Sequence, residues 1–435
     1  MYYLDNKRIR VENKNGEVVL LDALTHLAYS INETAHLIIK LLLLKKTRIE
    51  IIDSLIKTFA NLDKNSANKE LKQFLTFLKN RSFFDHSDAL LKKAIPSLKK
   101  VTLAITDRCN FRCAHCLAAN TLDNNQELSL ETVKKVMFEL KALGIKSIAL
   151  FGGEPFMHKD FFPILDYVLD MEVSVSVNTN ASLITKEIAT KLAARKKPVS
   201  FTASLDGALE ETGDAMRGVG TYKKTVQGIQ NLVNANLHTI ISTTITKYNF
   251  REIKQLVKVA KQIGVNQIRF NDVHFGGNAS CFIEKIKLNS KEKFETLISV
   301  KEVYDENQDF VTGSIIDQYK IIHSLNNEAL NFPLIIPPCG AAMGSICIRA
   351  DGNVTPCEIL WEHSCGNIYN NSLSEIYYST EMNQFRMPLV INKDEISDCG
   401  NCEYLKVCFK GHRCAPYFFP GKNLSEKAKL SCLKK

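Results

Sequence analysis

The clearest chemical pattern in the sequence is formed by three close cysteines, Cys109, Cys113 and Cys116. Their C-x3-C-x2-C spacing places three thiolates on one short loop. Three ligands leave one iron of a cubane [4Fe–4S] cluster without a protein ligand, and such an open iron is what a substrate-binding cluster requires. The alternative is a structural zinc site, which is usually closed by four ligands and for which His115 is the candidate fourth donor.

Strands and helices are predicted to alternate along residues 99 to about 275. Six short apolar, β-branched runs are separated by helical patterns, which predicts repeated βα units and a parallel sheet. The runs are VTLAIT (101–106), SIALFGG (147–153), VSVSVNTN (173–180), VSFTASLDG (199–207), HTIISTTIT (238–246) and QIRFNDV (267–273). Active sites in such folds form beyond the carboxyl ends of the strands. The three cysteines directly follow the first run and so belong to that edge.

Two further motifs are predicted at the same edge of the sheet. Gly152-Gly153-Glu154-Pro155 follows the second run, and Ser204-Leu205-Asp206-Gly207 follows the fourth. The paired glycines allow the backbone to approach a ligand closely, because neither carries a Cβ atom. A Gly-Gly-Glu-Pro sequence alone indicates only a turn, but its position directly after a strand of this unit favours a ligand site.

Together these motifs resemble the radical S-adenosylmethionine (SAM) superfamily. The resemblance rests on the segment from Cys109 to Cys116, on the Gly-Gly-Glu-Pro motif, and on the Ser-Leu-Asp-Gly motif with Arg217 and Gly218 downstream. It implies a partial (β/α)6 barrel, in agreement with the six runs. It also implies that SAM chelates the open iron of a [4Fe–4S] cluster. Cleavage of SAM then yields a 5′-deoxyadenosyl radical that removes a hydrogen from the substrate.

The resemblance assigns the three cysteines to the catalytic cluster and places cofactor contacts on the other motifs. The candidate cofactor-binding residues are Gly152, Gly153, Glu154, Asn180, Ser204 and Arg217. Glu154 could pair with the ammonium group of SAM, and Asn180, at the end of the third strand, could reach the nucleoside. The serine and the arginine could bind the carboxylate or the ribose. The alternative for these polar residues is a structural role in capping loops.

Eight of the thirteen cysteines form a second pattern near the end of the chain. The pattern resembles the SPASM domain, an accessory module of peptide- and protein-modifying radical SAM enzymes that usually binds two further [4Fe–4S] clusters. Twelve residues separate Cys339 from Gly352, and the segment that starts at Cys399 has the family's C-x2-C-x5-C spacing. Five residues separate Cys408 from Cys414, where the family usually has three.

The SPASM resemblance implies two interleaved sets of ligands. One auxiliary cluster is assigned Cys339, Cys347, Cys357 and Cys414, and the other is assigned Cys399, Cys402, Cys408 and Cys432. The alternative is a pair of structural zinc sites. Because the residues from about 310 onward lose the βα rhythm, we expect this region to have little core of its own and to need metal to hold it together. Cys281 and Cys365 remain and are predicted to be small core residues.

Residues 1–85 contain no cysteine and are predicted to form a separate winged-helix-like module. An alternating opening indicates two or three short strands. Asn32 and the Thr47–Glu50 capping box mark the starts of two helices, and a third helix is predicted from about 68 to 79. The module resembles the leader-recognition element of enzymes that modify ribosomally made peptides, which binds a leader peptide as an added strand beside a helix. A DNA-binding domain or a mere packing role is the alternative.

Composition, apolar stretches and net charge limit the possible locations and partners of the protein. A chain with 45% hydrophobic and 24% charged residues is typical of a soluble globular protein. The N-terminus lacks a secretory signal pattern, and the longest apolar stretch, residues 37–44, is too short to cross a membrane. We therefore expect a cytoplasmic protein with reduced thiols and no membrane partner. The net charge of +9 is scattered, so nucleic-acid binding is not expected.

The combined interpretation is a three-domain peptide maturase. Residues 1–85 recognise a leader, residues 99–310 form the radical SAM barrel, and residues 311–435 form the SPASM domain. The partners are a precursor peptide with an N-terminal leader and an electron donor such as flavodoxin or ferredoxin. Thioether cross-linking is expected before carbon–carbon cross-linking.

Two alternatives to the peptide maturase stay open at this point. An enzyme like the anaerobic sulfatase maturases, which modifies a folded protein, would leave residues 1–85 unexplained. An iron–sulfur redox-sensing winged-helix regulator would leave the Gly-Gly-Glu-Pro and Ser-Leu-Asp-Gly motifs without a role.

Overall fold

The computed structural model describes residues 4, 8–14, 17–22, 25, 27–84, 95–274, 276–317, 320, 334–336 and 338–391. The predicted cluster ligands Cys399, Cys402, Cys408, Cys414 and Cys432 lie outside the described residues. The described chain divides into two units. The first draws on residues 1–96, 330–343 and 377–396, and the second on residues 97–329 and 344–376. No helix among the described residues is both long enough and apolar enough to cross a lipid bilayer.

The first unit opens with three antiparallel strands and three helices, in the predicted order. The strands are β1 (Ile9–Lys14), β2 (Glu17–Asp22) and β3 (Leu27–Ile31), and the helices are α1 (Glu33–Leu43), α2 (Arg48–Thr58) and α3 (Lys64–Asn80). Asn32 caps α1 by accepting from the backbone N–H of Ala35, and Thr47 and Glu50 form both hydrogen bonds of the predicted capping box. The apolar faces of the helices pack together with the sheet around buried Leu20, Ile39, Leu55, Leu71 and Leu78. A two-stranded antiparallel sheet, β11 (Leu334–Ile336) with β14 (Leu389–Ile391), also belongs to this unit.

A buried ion pair connects the ends of this module. The guanidinium of Arg8 donates from Nε to Asp22 Oδ1 at 3.0 Å and from Nη2 to Asp22 Oδ2 at 3.1 Å. It also donates to the backbone carbonyls of Arg81 and Ser82, just beyond the end of α3. Both side chains are almost fully removed from solvent. A buried pair of this kind is costly to break, because the remaining charge loses its partner and stays desolvated.

We expect Asp22→Ala to lower the free energy of unfolding of this unit by about 3–5 kcal/mol, because Arg8 is left buried without its carboxylate. Urea unfolding followed by circular dichroism measures the loss. Lys46→Ala is the control, since it breaks the exposed Lys46–Glu50 pair of the same unit and should cost less than about 1 kcal/mol. Equal losses in the two variants would contradict the prediction.

The second unit is built on a nine-stranded sheet. Its strands are β4 (Lys100–Thr106), β5 (Ser147–Gly152), β6 (Ser174–Thr179), β7 (Val199–Ser204), β8 (Thr239–Ile245), β9 (Gln267–Asp272), β10 (Val311–Thr312), β12 (Ser345–Ile348) and β13 (Val354–Thr355). They lie in the order β10-β9-β8-β7-β6-β5-β4-β12-β13, and every pair from β10 to β12 is parallel. The six predicted runs are strands β4–β9. The α/β class with a parallel sheet is confirmed.

Helices follow most of the parallel strands. After α3 the described helices are α4 (Leu130–Ala142), α5 (Phe161–Asp170), α6 (Lys186–Ala193), α7 (Glu210–Arg217), α8 (Thr221–Asn234), α9 (Ile253–Ile263), α10 (Asn278–Cys281), α11 (Ile283–Ile286), α12 (Ser290–Glu306), α13 (Leu373–Tyr377) and α14 (Thr380–Asn383). On β7 the residues alternate between buried Phe201 and Ala203 and partly exposed Thr202 and Ser204. The partly exposed face is the one that remains available for a site.

Residues 345–361 depart from the expectation of a region with little core. Strand β12 extends the parallel sheet beside β4, with Cys347 opposite Thr102, and returns through β13. Cys347 and Trp361 are buried in one cluster with Ala104, Ala118 and Leu122. These residues are buried because they complete a core that they share with the parallel sheet. The need of the region for metal stays a prediction.

Candidate active site

The three cysteines line one cavity at the carboxyl end of the sheet. The cavity has a volume of about 220 Å³, and its wall also includes the ends of strands β5–β8. Eight of the nine residues predicted for the catalytic cluster and SAM contribute to this wall: Cys109, Cys113, Cys116, Gly152, Gly153, Asn180, Ser204 and Arg217. His115, the candidate zinc donor, also lines the cavity, and so do residues for which no role was predicted, including Phe151, Asn178, Thr179 and Thr244.

The paired glycines at the end of β5 are required by close backbone packing. A Cβ atom on Gly152 would lie 2.3 Å from the carbonyl oxygen of Thr106, and one on Gly153 would lie 2.3 Å from that of Arg108. Gly152 also has a positive φ of 149°. No side chain fits at either distance. The glycines therefore allow β5 to dock against the segment that leads into Cys109, in addition to forming part of the cavity wall.

Glu154 is the predicted cofactor residue that does not line the cavity. Its buried carboxylate accepts hydrogen bonds of 2.7 Å from the hydroxyl of Thr179 and from the backbone N–H of Asn180. Burial raises the pKa of Glu154 to about 7. These contacts tie the end of β5 to the end of β6, which is the loop-capping role left open by the sequence.

Asn180 connects the end of β6 to the cysteine loop. Its side-chain amide donates to Asn110 Oδ1 at 2.9 Å, and its side-chain oxygen accepts from the backbone N–H and the hydroxyl of Ser182. Asn110 in turn donates to the hydroxyl of Ser182. The side chain lines the cavity while its donors and acceptors hold the first half of the loop.

Asp206 organises the charges around the cysteines, although no individual role was predicted for it. The buried carboxylate accepts from Arg217 Nε at 2.6 Å and from the backbone N–H of Thr244 at 2.7 Å, and lies 3.3 Å from His115 Nε2. Arg217 Nη1 is 3.7 Å from Cys113 Sγ. Burial lowers the pKa of Arg217, but Asp206 and Cys113 outweigh it and raise the value above its usual range. A fixed cation therefore lies against one of the three sulfurs.

The surroundings of the thiols favour an iron–sulfur cluster over zinc. Burial raises the pKa of Cys109 to about 11 and that of Cys116 to about 12, so thiolates persist there only with a metal to stabilise them. His115, the candidate fourth zinc ligand, is directed to Asp206 through Nε2. Nowhere in the described chain do three His, Cys, Asp or Glu side chains lie close enough to hold a single metal ion. A cubane fits this arrangement, because each of its protein ligands binds a different iron.

A segment far along the chain holds the second half of the cysteine loop. The backbone N–H of Asn278 donates to the carbonyl of Cys116 at 3.0 Å, and its side-chain amide donates to the carbonyl of Cys113 at 3.1 Å. Gly277 has a positive φ of 53°, and a Cβ atom there would lie 2.3 Å from the Cys116 carbonyl oxygen. The start of α10 thus fixes the backbone that presents two of the three sulfurs. No sequence motif predicted this contact with the cysteine loop.

The other described cysteines have varied surroundings. Cys347 is fully buried beside the partly exposed Cys357, and burial raises its pKa well above the usual thiol value. Cys339 is exposed. Cys365 is a buried residue as predicted, whereas the prediction of a core position for Cys281 is wrong, since the side chain is exposed at the end of α10.

Trp361 belongs to a packed cluster that involves cysteines from two parts of the second unit. It packs in the cluster that contains Cys347, and Cys109, Cys116 and Phe151 pack against the same cluster. The indole N–H donates to the hydroxyl of Thr121 at 3.3 Å. The wall behind the cavity and the buried thiol of β12 therefore share one aromatic side chain.

The first unit has a separate groove between β3 and α3. It has a volume of about 300 Å³, and its lining residues are Ser30, Ile31, Asn32, Ala35, Ile38, Glu70, Gln73, Phe74 and Phe77. Within the described sheet, β3 pairs only with β2, so its other edge is free. An apolar groove beside a free strand edge is suited to an extended peptide, which can add a strand and insert side chains.

Comparison with known proteins identifies the parts of the chain. Residues 103–278 match the radical SAM superfamily, residues 339–403 match the SPASM iron–sulfur cluster-binding domain, and residues 17–83 match coenzyme PQQ synthesis protein D (PqqD). The chain is thus a radical SAM enzyme with a SPASM domain and a PqqD-type N-terminal domain, and it uses SAM and [4Fe–4S] clusters, including auxiliary clusters in the SPASM domain.

Individual relatives are distant but extend over most of the chain. The AdoMet-dependent heme synthase of Nitratidesulfovibrio vulgaris is 26% identical over 79% of this chain and 94% of its own length. The mycofactocin maturase MftC of Mycobacterium tuberculosis is 26% identical over 73% of this chain and 79% of its own length. The crystal structure of Streptococcus suis SuiB bound to its precursor peptide SuiA has a TM-score of 0.56 at 16% identity, covering 88% of this chain and 90% of SuiB. That likeness extends the shared fold across both units.

Proposed function

We propose that this enzyme modifies a ribosomally made precursor peptide, which it captures by an N-terminal leader. The observation that carries the proposal is the groove between the free edge of β3 and α3, in the same chain as the cysteine-lined cavity. The PqqD match, the mycofactocin maturase relative and the SuiB–SuiA structure support a peptide partner. A DNA-binding regulator leaves the cavity without a role, and a sulfatase-maturase-like enzyme leaves the groove without one.

The groove would hold the leader through its backbone and a few side chains. Strand addition supplies backbone hydrogen bonds to β3, while apolar leader side chains enter between Ile38, Phe74 and Phe77. Glu70 and Gln73 border the groove and provide polar contacts at its rim. The affinity of the enzyme for the precursor peptide then depends on a short segment of the leader. The core peptide remains free to reach the site of reaction.

In the cavity, Cys109, Cys113 and Cys116 would hold the catalytic cluster and leave one iron open for SAM. Together the cluster and SAM supply the group that abstracts a hydrogen atom from the peptide. Gly152, Gly153 and Ser204 would form the wall against which SAM lies. Arg217, held by Asp206, places a positive charge beside Cys113 and is available to an anionic group of SAM. Glu154 holds the ends of β5 and β6 together, and Asn180 holds the cysteine loop through Asn110.

The SPASM region would hold the auxiliary clusters. The proposed ligands are Cys339, Cys347, Cys357 and Cys414 for one cluster and Cys399, Cys402, Cys408 and Cys432 for the other. Flavodoxin or ferredoxin would supply electrons. No disulfide joins two of the described cysteines, which suits the reducing cytoplasm.

The expected product is a thioether between a cysteine sulfur and a carbon of the core peptide, with a carbon–carbon cross-link as the second candidate. Thioether formation removes the thiol hydrogen and one carbon-bound hydrogen. One hydrogen leaves as an atom, and the other leaves as a proton and an electron, for which an auxiliary cluster held by the SPASM cysteines would be the acceptor. The product is therefore lighter than the substrate by two hydrogen atoms.

The test uses the full chain, reconstituted anaerobically with iron and sulfide and incubated with SAM, dithionite and a short cysteine-rich peptide encoded beside the gene. We expect 5′-deoxyadenosine and a cross-linked peptide in mass spectra. Failure to form 5′-deoxyadenosine would contradict the proposal that the protein catalyses radical SAM chemistry. Conversion of an iron porphyrin to heme with no change in any peptide would instead favour the function named for the heme synthase relative.

We expect Asn278→Ala to weaken retention of the catalytic cluster. The variant loses one hydrogen bond to the Cys113 carbonyl, worth about 1 kcal/mol, and iron should leave roughly fivefold faster on exposure to a chelator. Loss of absorbance near 400 nm and iron analysis measure the rate. Ser280→Ala is the control, because its hydroxyl donates within the same segment, to Gly277, and not to the cysteine loop. Equal rates in both variants would contradict the role of Asn278.

A further inference from the structure

One row of residues crosses the sheet from the cavity toward β10. Ser204 of β7 is in register with Ser242 of β8, Ser242 with Arg269 of β9, and Arg269 with Thr312 of β10. Residues that pair directly across a sheet point to the same face. Because Ser204 lines the cavity, Arg269 projects from the cavity face of the sheet.

The neighbours of Arg269 on this face are polar. Asn271, two residues along β9, is in register with the cavity-lining Thr244 and donates to the hydroxyl of Ser242 at 3.1 Å. The intervening residues Ile268 and Phe270 are fully buried on the opposite face. The row thus continues the cavity wall as a hydrophilic surface.

The charge of Arg269 is not neutralised within the described part of the chain. The side chain is half-buried, has no hydrogen bond or ion pair to a described residue, and its pKa is lowered by burial alone. Three other arginines withdrawn from solvent each pair with a carboxylate: Arg8 with Asp22, Arg217 with Asp206 and Arg349 with Asp351. A partly desolvated guanidinium without an anion is costly, and a carboxylate is the planar anion that matches its geometry.

We propose that Arg269 binds a carboxylate of the peptide substrate, and this inference rests on the proposed function. Along the sheet, Arg269 lies two strands, about 10 Å, beyond Ser204. A group bound against the cysteines and Ser204 would leave this part of the face for the substrate. The carboxylate belongs either to an aspartate or glutamate side chain or to the C-terminus of the peptide.

The experiment measures peptide binding to the full chain, loaded with its clusters and SAM, by saturation-transfer NMR. The probes are acetyl-Gly-Ser-Cys-Glu-Ser-Gly-amide, its Gln counterpart, and the Gln peptide with a free C-terminal carboxylate. We expect a carboxylate-bearing probe to bind about tenfold or more tighter than the neutral one. The probe that gains affinity identifies the source of the carboxylate.

Three variants decide whether Arg269 is responsible. Arg269→Gln should remove the preference for the carboxylate, and Arg269→Lys should retain part of it, because the charge remains without the bidentate geometry. Lys258→Gln removes an exposed charge on α9 and should change nothing. No preference in the unmodified protein, or an undiminished preference in Arg269→Gln, overturns the proposal.

Two separate measurements keep this inference distinguishable from the proposed function. The affinity for SAM should be the same in Arg269→Gln and the unmodified protein, and a loss of SAM affinity would assign the arginine to the cofactor and overturn the proposal. Formation of 5′-deoxyadenosine and modification of a precursor peptide by the unmodified protein test the proposed function. If both occur while no carboxylate preference is found, only the role of Arg269 is wrong.

Discussion

Replacing Cys109, Cys113 and Cys116 together with alanine is expected to abolish SAM cleavage while leaving about eight irons per chain, four for each auxiliary cubane. The three sulfurs line the cavity with Gly152, Gly153 and Ser204, and alanine removes every protein ligand of the proposed catalytic cluster. The auxiliary cysteines are untouched. After anaerobic reconstitution, iron analysis gives the iron content per chain. Chromatography of 5′-deoxyadenosine gives the extent of SAM cleavage.

The control for the cysteine replacement is Cys281→Ala, which removes an exposed thiol outside all proposed ligand sets. It should keep full iron content and full SAM cleavage. Circular dichroism checks that the triple variant is folded. SAM cleavage by the triple variant would exclude these cysteines as the catalytic ligands, and loss of all iron from a folded triple variant would mean that the SPASM cysteines do not assemble clusters on their own.

The second large effect is expected from Gln73→Tyr, which fills the groove of the N-terminal module. Gln73 is an exposed residue on α3 that borders the groove, so a larger side chain there blocks the groove without disturbing the core. We expect the affinity for the precursor peptide to fall about tenfold or more, and cross-linking to fall with it at subsaturating peptide. Fluorescence anisotropy of a labelled precursor measures the affinity.

Two controls separate capture of the leader from radical chemistry. Lys72→Tyr introduces the same side chain at an exposed position of α3 that does not line the groove, and should bind peptide normally. SAM cleavage without peptide should be the same in both variants, because the cysteine-lined cavity belongs to the other unit. Normal modification of the peptide by Gln73→Tyr would remove the support for leader capture at this groove.

The strands of the sheet could be predicted because their sequences report a local property. Each of the six runs is apolar and β-branched, and each corresponds to one of β4–β9 within one residue at either end, except that the fourth run extends three residues beyond β7. The helix N-caps could be predicted for the same reason, because Asn32 and Thr47 form hydrogen bonds within the next helical turn. Helix α5 carries a weaker local signal, because Pro163 stands in its first turn, where proline is tolerated.

The features that could not be predicted are contacts between distant residues. The pairing of β12 with β4 joins residues 345–348 to residues 100–103, and no local pattern encodes a parallel partner. Asn278 contacts the cysteine loop only because α10 returns to it. Asp206 belonged to a motif that was identified, but its central position between Arg217 and His115 depends on the register of β7 and β8. The residues of the candidate site could therefore be predicted from their types and spacing, whereas the residues that they contact could not.

The position of Trp361 gives the chain an optical property of its own. It is the only tryptophan in the sequence, and it packs in the cluster that includes Cys347 and that Cys109 and Cys116 pack against. Iron–sulfur clusters absorb across the near ultraviolet and visible range, so an indole in this place transfers its excitation to them. Excited at long wavelengths, where tyrosine does not absorb, the protein thus has one emitter near the proposed catalytic and auxiliary sites, and its quenching reports the formation of clusters there without any label.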